Sequence, residues 1–86
     1  AYRQLARRQD DAVSFPVTQL TALHSAVRLR VLRRAYFELG GKELSFERSQ
    51  AIDSLLFRRS GGKFIQLPQG INVVYKNKQL IFVKII

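Results

Sequence analysis

Apolar positions fall into two helical stretches followed by a run of β-type segments. From about Thr21 to Leu39, Val27, Val31, Ala35 and Leu39 recur every fourth residue, with Leu32 and Tyr36 beside them. That spacing predicts an amphipathic helix, and Gly40-Gly41 supplies its glycine stop. Ser45 is placed to cap a second helix with Glu47 in its positive first turn. This helix is expected to reach about Phe57 and bury Ala51, Ile52, Leu55 and Leu56. Ser60-Gly61-Gly62 closes the helical half. Phe64 to Leu67, Ile71 to Tyr75 and Gln79 to Ile86 are then rich in Ile, Val, Phe and Tyr, the composition of strands. Pro68-Gln69-Gly70 reads as a turn, with Pro68 preset and Gly70 permissive, and Lys76-Asn77-Lys78 as a tight hairpin loop.

The N-terminal stretch carries a weaker pattern. Residues 2–13 have helical composition but few apolar anchors, Tyr2, Leu5 and Ala6. They read as the end of a helix continuing from an upstream segment, and the opening on Ala1 fits a piece of a longer protein. Ser14-Phe15-Pro16 breaks that helix, and Val17 to Leu20 is expected to be a short extended segment or docking turn. Helices first and a meander last predict an α+β domain. Two main helices, with the N-terminal helix end, would pack on a C-terminal three-stranded antiparallel meander. At 86 residues the chain supports one core. Residues 1–13 are assigned to the linker and 14–86 to the domain, with Tyr36, Phe37, Phe57, Phe64 and Phe82 mostly in the core.

Charge adds the chemistry. Fifteen Lys and Arg against six Asp and Glu give a net charge of +9, which draws polyanions. The run Arg28-Leu29-Arg30-Val31-Leu32-Arg33-Arg34 holds four guanidinium groups and no acid, and guanidinium grips phosphate in a bidentate way. On a helical wheel Arg30, Arg33 and Arg34 face away from the apolar stripe. With Arg58, Arg59, Lys63 and the hairpin lysines Lys76 and Lys78, they are the candidate nucleic-acid contacts. Arg28 projects near the centre of the stripe and Arg48 is placed similarly in the second helix. Both are expected to serve structure, bonding helix-end carbonyls or an acid such as Asp53. Gly40, Gly62, Pro68 and Gly70 are the structural turn positions.

No constellation for catalysis emerges. There is no cysteine, and His24 stands alone, so no metal site is expected. Ser60-Gly61-Gly62 resembles the opening of a pyrophosphatase-type phosphate loop but lacks the following aspartate and follows a helix rather than a strand. Asp10-Asp11 falls in the presumed linker, while Glu43 and Glu47 flank a helix start. No apolar run approaches the roughly 20 residues that span a bilayer. Tyr75 near the hairpin could stack a base, but cross-strand packing is the favoured reading.

Motif order then points to a family. Leu23-His24-Ser25-Ala26-Val27-Arg28-Leu29-Arg30-Val31-Leu32-Arg33-Arg34, with Gly40 after it, resembles the L-P-x-x-x-R-R-x-L-L-R helix of tRNA(Ile)-lysidine synthetases. Ser45-Phe46, Gly61-Gly62 and Leu67-Pro68-Gln69-Gly70-Ile71-Asn72-Val73 follow in register, the last similar to the family's L-P-G-G-x-x-V, with Leu80 matching a following G-x-L. The similarity runs from about Val17 to Phe82. His24 stands where proline is common, Ala35 where tryptophan is, and Gln69 where glycine is. Arg28 and Arg33 match the motif's arginines.

The resemblance implies a cytoplasmic ligase that uses ATP, with magnesium, to join lysine to the wobble cytidine of an isoleucine tRNA. Its chemistry would lie in an upstream PP-loop domain, and these residues would be the non-catalytic tRNA-recognition domain, with no cofactor of their own. Two other readings fit the charge pattern. One is a winged-helix-like DNA-binding module presenting Arg48, Ser49 and Gln50 of the second helix. The other is a basic domain that docks on an acidic protein.

Overall fold

The computed structural model describes residues 2–57 and 64–85. Its elements in order are α1 (Tyr2–Leu5), β1 (Arg7–Gln9), β2 (Ala12–Pro16), α2 (Val17–Thr21), α3 (Ser25–Glu38), α4 (Phe46–Phe57), β3 (Phe64–Leu67), a 3-10 turn (Pro68–Gly70), β4 (Ile71–Lys76) and β5 (Gln79–Lys84). The α+β class is as expected, with helices preceding a C-terminal meander, but the sheet is larger than three strands. Among the described residues it has five, all antiparallel, in the order β1-β2-β5-β4-β3.

The N-terminal expectation is corrected. Only Tyr2–Leu5 is helical, and residues 7–16 form a hairpin that pairs with β5. The physical reason is a short period-2 signal: Val13 and Phe15 alternate with Ala12, Ser14 and Pro16, and both are fully buried. Asp10 takes φ +51 at the hairpin turn, a left-handed conformation that aspartate tolerates better than most residues. A boundary between residues 13 and 14 therefore falls inside a strand of the domain's own sheet.

Register aligns one face of the sheet into layers. Val13, Phe82, Val73 and Ile65 face one another across four strands, and Phe15, Leu80 and Tyr75 form the next row. Phe15 and Phe82 meet edge-on at 6.1 Å, the arrangement ring quadrupoles favour. The helices contribute Val17 and Leu20 from α2, Val31, Leu32, Ala35 and Tyr36 from α3, and Ile52, Leu55 and Leu56 from α4 to the same core. The opposite sheet face carries Ser14, Ile81, Val74 and Phe64 in one row.

Other local expectations are met or shift. Val17–Thr21 is a helical turn, not an extended segment, because Val17 and Leu20 can both be buried only at i, i+3 spacing. The long helix starts at Ser25, where His24 accepts the Ala26 N–H through Nδ1 at 3.2 Å and so acts as the N-cap. Ser45 Oγ accepts the Arg48 N–H at 3.1 Å, as an N-cap does. Ala51 is exposed, since the inner face of α4 runs through Ser49, Ile52, Leu55 and Leu56. Phe37, Phe57 and Phe64 are also exposed rather than core. The hairpin loop is Asn77-Lys78, with φ of 53° and 61°, the signature of a type I′ turn.

Candidate nucleic-acid interface

Arg30, Arg33, Arg34 and Phe37 stand at i, i+3, i+4 and i+7 of α3, one helical face. All four are exposed. Just past the C-cap of α3, Gly40 holds φ +93, the left-handed conformation that commonly ends a helix. The chain then turns back tightly. A Cβ on Gly41 would lie 2.4 Å from the Tyr36 ring, so only glycine lets the backbone pass there. That close passage carries Lys42 and Glu43 beside the arginine face and delivers Ser45 and Phe46 to the start of α4. The result is an open groove of about 610 Å³, lined by Arg30, Arg33, Arg34, Phe37, Lys42, Glu43, Leu44, Ser45 and Phe46.

Four cations against one acid make this groove strongly positive. The side chains of Arg30, Arg33 and Lys42 make no hydrogen bond or ion pair with any described residue, so their charge is free to meet an anion. Arg34 is partly engaged. Its guanidinium lies 5.1 Å from the centre of the Tyr2 ring and 3.8 Å from the Glu38 carboxylate. Such half-exposed contacts are weak and leave the group available. The N-terminus of α4 opens into the groove beside Ser45, adding the partial positive charge of its first-turn amides.

Arg28 is turned the other way. Its Nε and Nη2 donate to the two carboxylate oxygens of Asp53, and Nη1 donates to the Leu23 carbonyl at 2.9 Å. The guanidinium also stacks 4.9 Å from the centre of the Phe57 ring. Its side chain is only 8% exposed. The hydrogen bonds to Asp53 push its pKa up, partly opposed by burial. This pair clamps α3 to α4, the two elements that form the groove.

The other sequence-selected residues scatter. Lys76 and Lys78 are exposed near the β4–β5 hairpin tip, where the Lys78 carbonyl accepts the Val17 N–H at 3.0 Å. This is the far end of β5 from Lys84, whose Nζ approaches Gly40, so the hairpin lysines do not line the groove. Arg58, Arg59, Lys63 and Gly62 lie outside the described residues. Arg48 is exposed and its side chain bonds no described residue, contrary to the structural role expected for it; its charge tempers the burial that raises the Tyr36 pKa. Pro68 and Gly70 shape the turn before β4. The Pro68 carbonyl accepts the Tyr36 hydroxyl at 3.0 Å, and Gly70 holds φ +70. Ser49, one of three residues offered for a DNA-reading helix, is fully buried and donates to the Ser45 carbonyl, so that face of α4 is not available as a set.

Sequence reasoning missed three groove residues. Phe37 sits on the arginine face of the same wheel, and reading it there rather than as a default core aromatic would have found it. Lys42 and Phe46 belong to no periodic pattern; the fold around Gly41 alone brings them in. Arg8 donates to the Glu38 carbonyl at 3.1 Å and so satisfies the C-terminus of α3. Among the described residues no three His, Asp or Glu side chains gather where a metal ion could be held, and no helix is long and apolar enough to cross a membrane.

No curated protein matches the chain. Residues 15–80 match the TilS substrate binding domain, a span that contains α2, α3, α4, β3, β4, the groove and the Arg28–Asp53 clamp. An arginine-faced helix, a glycine turn and a second capped helix on an antiparallel sheet thus coincide with a match over most of the chain, which belongs to the TilS substrate binding domain family.

Proposed function

We propose that this domain binds tRNA on behalf of a tRNA(Ile)-lysidine synthetase, presenting an isoleucine tRNA to an upstream PP-loop domain. The observation that carries the reading is the groove itself, four cations and two exposed aromatic rings inside the family-matched residues. Arg30, Arg33 and Lys42 hold backbone phosphates, while Arg34 exchanges its contacts with Tyr2 and Glu38 for a further one. Phosphate contacts fix position and supply affinity without reading sequence. The parent enzyme joins lysine to the wobble cytidine in the cytoplasm; ATP and magnesium belong to its upstream domain, and no step of that chemistry runs through the residues described here. Tyr2–Leu5 is, on this reading, the last turn of the connecting helix.

Titrating labelled tRNA with the wild-type chain and an Arg30→Ala/Arg33→Ala/Lys42→Ala variant across salt tests this. Each lost phosphate contact should flatten the log–log salt slope by about 0.7–0.9, so the triple variant should lose about two to three units of slope. It should keep its fold, since none of the three side chains is buried. Equal affinity and slope in the two proteins would refute the assignment. The DNA-binding alternative predicts instead that duplex DNA displaces tRNA at fixed salt.

A further inference from the structure

Phosphate binding accounts for the cations of the groove but not for its aromatic rings. Phe37 is 63% exposed and Phe46 58% exposed. Neither can hydrogen-bond a phosphate, and an exposed ring beside arginines adds nothing to charge attraction. The two rings come from different elements, the last turns of α3 and the first turn of α4, and both line one concavity. The described aromatic pairs are Tyr2 with Phe15 and Phe15 with Phe82; Phe37 and Phe46 pair with neither each other nor another described ring. More than half of each side chain is open to solvent. At about 610 Å³ the groove is within the size range of small-molecule sites.

A ring face flanked by free guanidinium and ammonium groups matches one ligand chemistry, a nucleobase whose own sugar-phosphate lies beside it. Base–aromatic stacking is open to every base, since each has a π-face. It is closed to a base within a duplex, whose two faces are covered by its neighbours. We infer that the groove between α3 and the start of α4 holds an unpaired nucleotide, its base stacked on Phe37 and Phe46 and its flanking phosphates on Arg30, Arg33 and Lys42. This rests on the nucleic-acid reading of the same groove. It adds that the domain engages a bulged, looped or terminal nucleotide, not only the backbone of a stem.

The test separates the two claims. Phe37→Ala and Phe46→Ala, with Phe37→Tyr and Phe46→Tyr as stacking-competent controls, are titrated against an RNA hairpin with an unpaired loop and against the same stem as a blunt duplex. The Arg30→Ala/Arg33→Ala/Lys42→Ala chain is run beside them. Each alanine change should weaken hairpin binding about 5- to 100-fold, leave duplex binding and the salt slope unchanged, and leave the urea midpoint unchanged because the rings are exposed. The tyrosine variants should bind as wild type. If the alanine variants bind the hairpin normally, or lose hairpin and duplex alike, the stacking inference falls while the nucleic-acid reading stands on the cation variant. If the cation variant binds both RNAs like wild type, the nucleic-acid reading itself falls.

Discussion

The buried clamp between α3 and α4 gives the sharpest energetic prediction. Asp53→Ala removes both acceptors of the Arg28 fork and leaves a guanidinium whose side chain is 8% exposed. Removing one partner of a buried pair costs about 3–5 kcal/mol, because the remaining charge is stranded. Two features of the site reduce that. Arg28 keeps its bond to the Leu23 carbonyl and its stack on Phe57, and the Asp53 side chain is 23% exposed, so water can reach part of the vacated space. The expected loss is about 2–3 kcal/mol, which for a domain of this size lowers Tm by roughly 10–20 °C. Urea unfolding followed by far-UV circular dichroism should show a lower midpoint with an unchanged slope. The companion variant Arg28→Met/Asp53→Leu replaces the pair with apolar groups of similar bulk and should recover most of the loss. A cost for Asp53→Ala below about 0.5 kcal/mol, the scale of a surface pair, would refute the buried-clamp reasoning. So would a double variant as unstable as the single one.

Gly41→Ala should destabilise by about 1–3 kcal/mol by overpacking, because the new Cβ meets the Tyr36 ring, which is fixed in the core; a wild-type urea midpoint would show that the loop yields freely. Burial raises the pKa of Tyr36, so the unfolded chain ionises first and stability should fall as pH climbs above about 10. Tyr36→Phe should lose about 1 kcal/mol at neutral pH with its hydroxyl bond yet show a smaller alkaline decline. The remainder comes in part from Tyr2, also raised by burial, and an identical decline in both proteins would contradict the assignment. Lys78 holds φ +61, so Lys78→Gly should stabilise the hairpin by about 1 kcal/mol while leaving groove binding intact; a marked loss of tRNA affinity would instead place the hairpin tip in the interface.

The long-range part of the fold was the least legible in the sequence. The helix carrying Val31, Ala35 and Tyr36 and the strands around Val73 and Phe82 announce themselves because their periodicity is local and repeated. β2 shows only Val13 and Phe15 as alternating apolar residues, and their partners Phe82 and Leu80 lie at the other end of the chain, so a short strand there reads as a helix remnant. Charge on a wheel was legible as well: Arg30, Arg33 and Arg34 face out and Arg28 faces in because helix geometry fixes both directions. Phe37 went to the core by default, since an aromatic beside an apolar stripe usually packs inward. Lys42 and Phe46 enter the site through the tight passage of Gly41 past Tyr36, a contact across the fold that no local spacing encodes.

The strand order has a consequence for how the protein is made. β5 sits between β2 and β4, yet it is the last of the five to leave the ribosome. Until Gln79–Lys84 emerges, Val13 and Phe15 have no cross-strand partner on that side, and β2 and β4 cannot join into one sheet. The helices can form as they appear, but the layered core closes only after the last strand of this sheet has been synthesised. Pairings this distant in sequence are slow to form. During translation, therefore, the nascent domain exposes the still-unpaired edge of β2 and a half-built apolar face, the interval in which misassembly with neighbouring chains competes with folding.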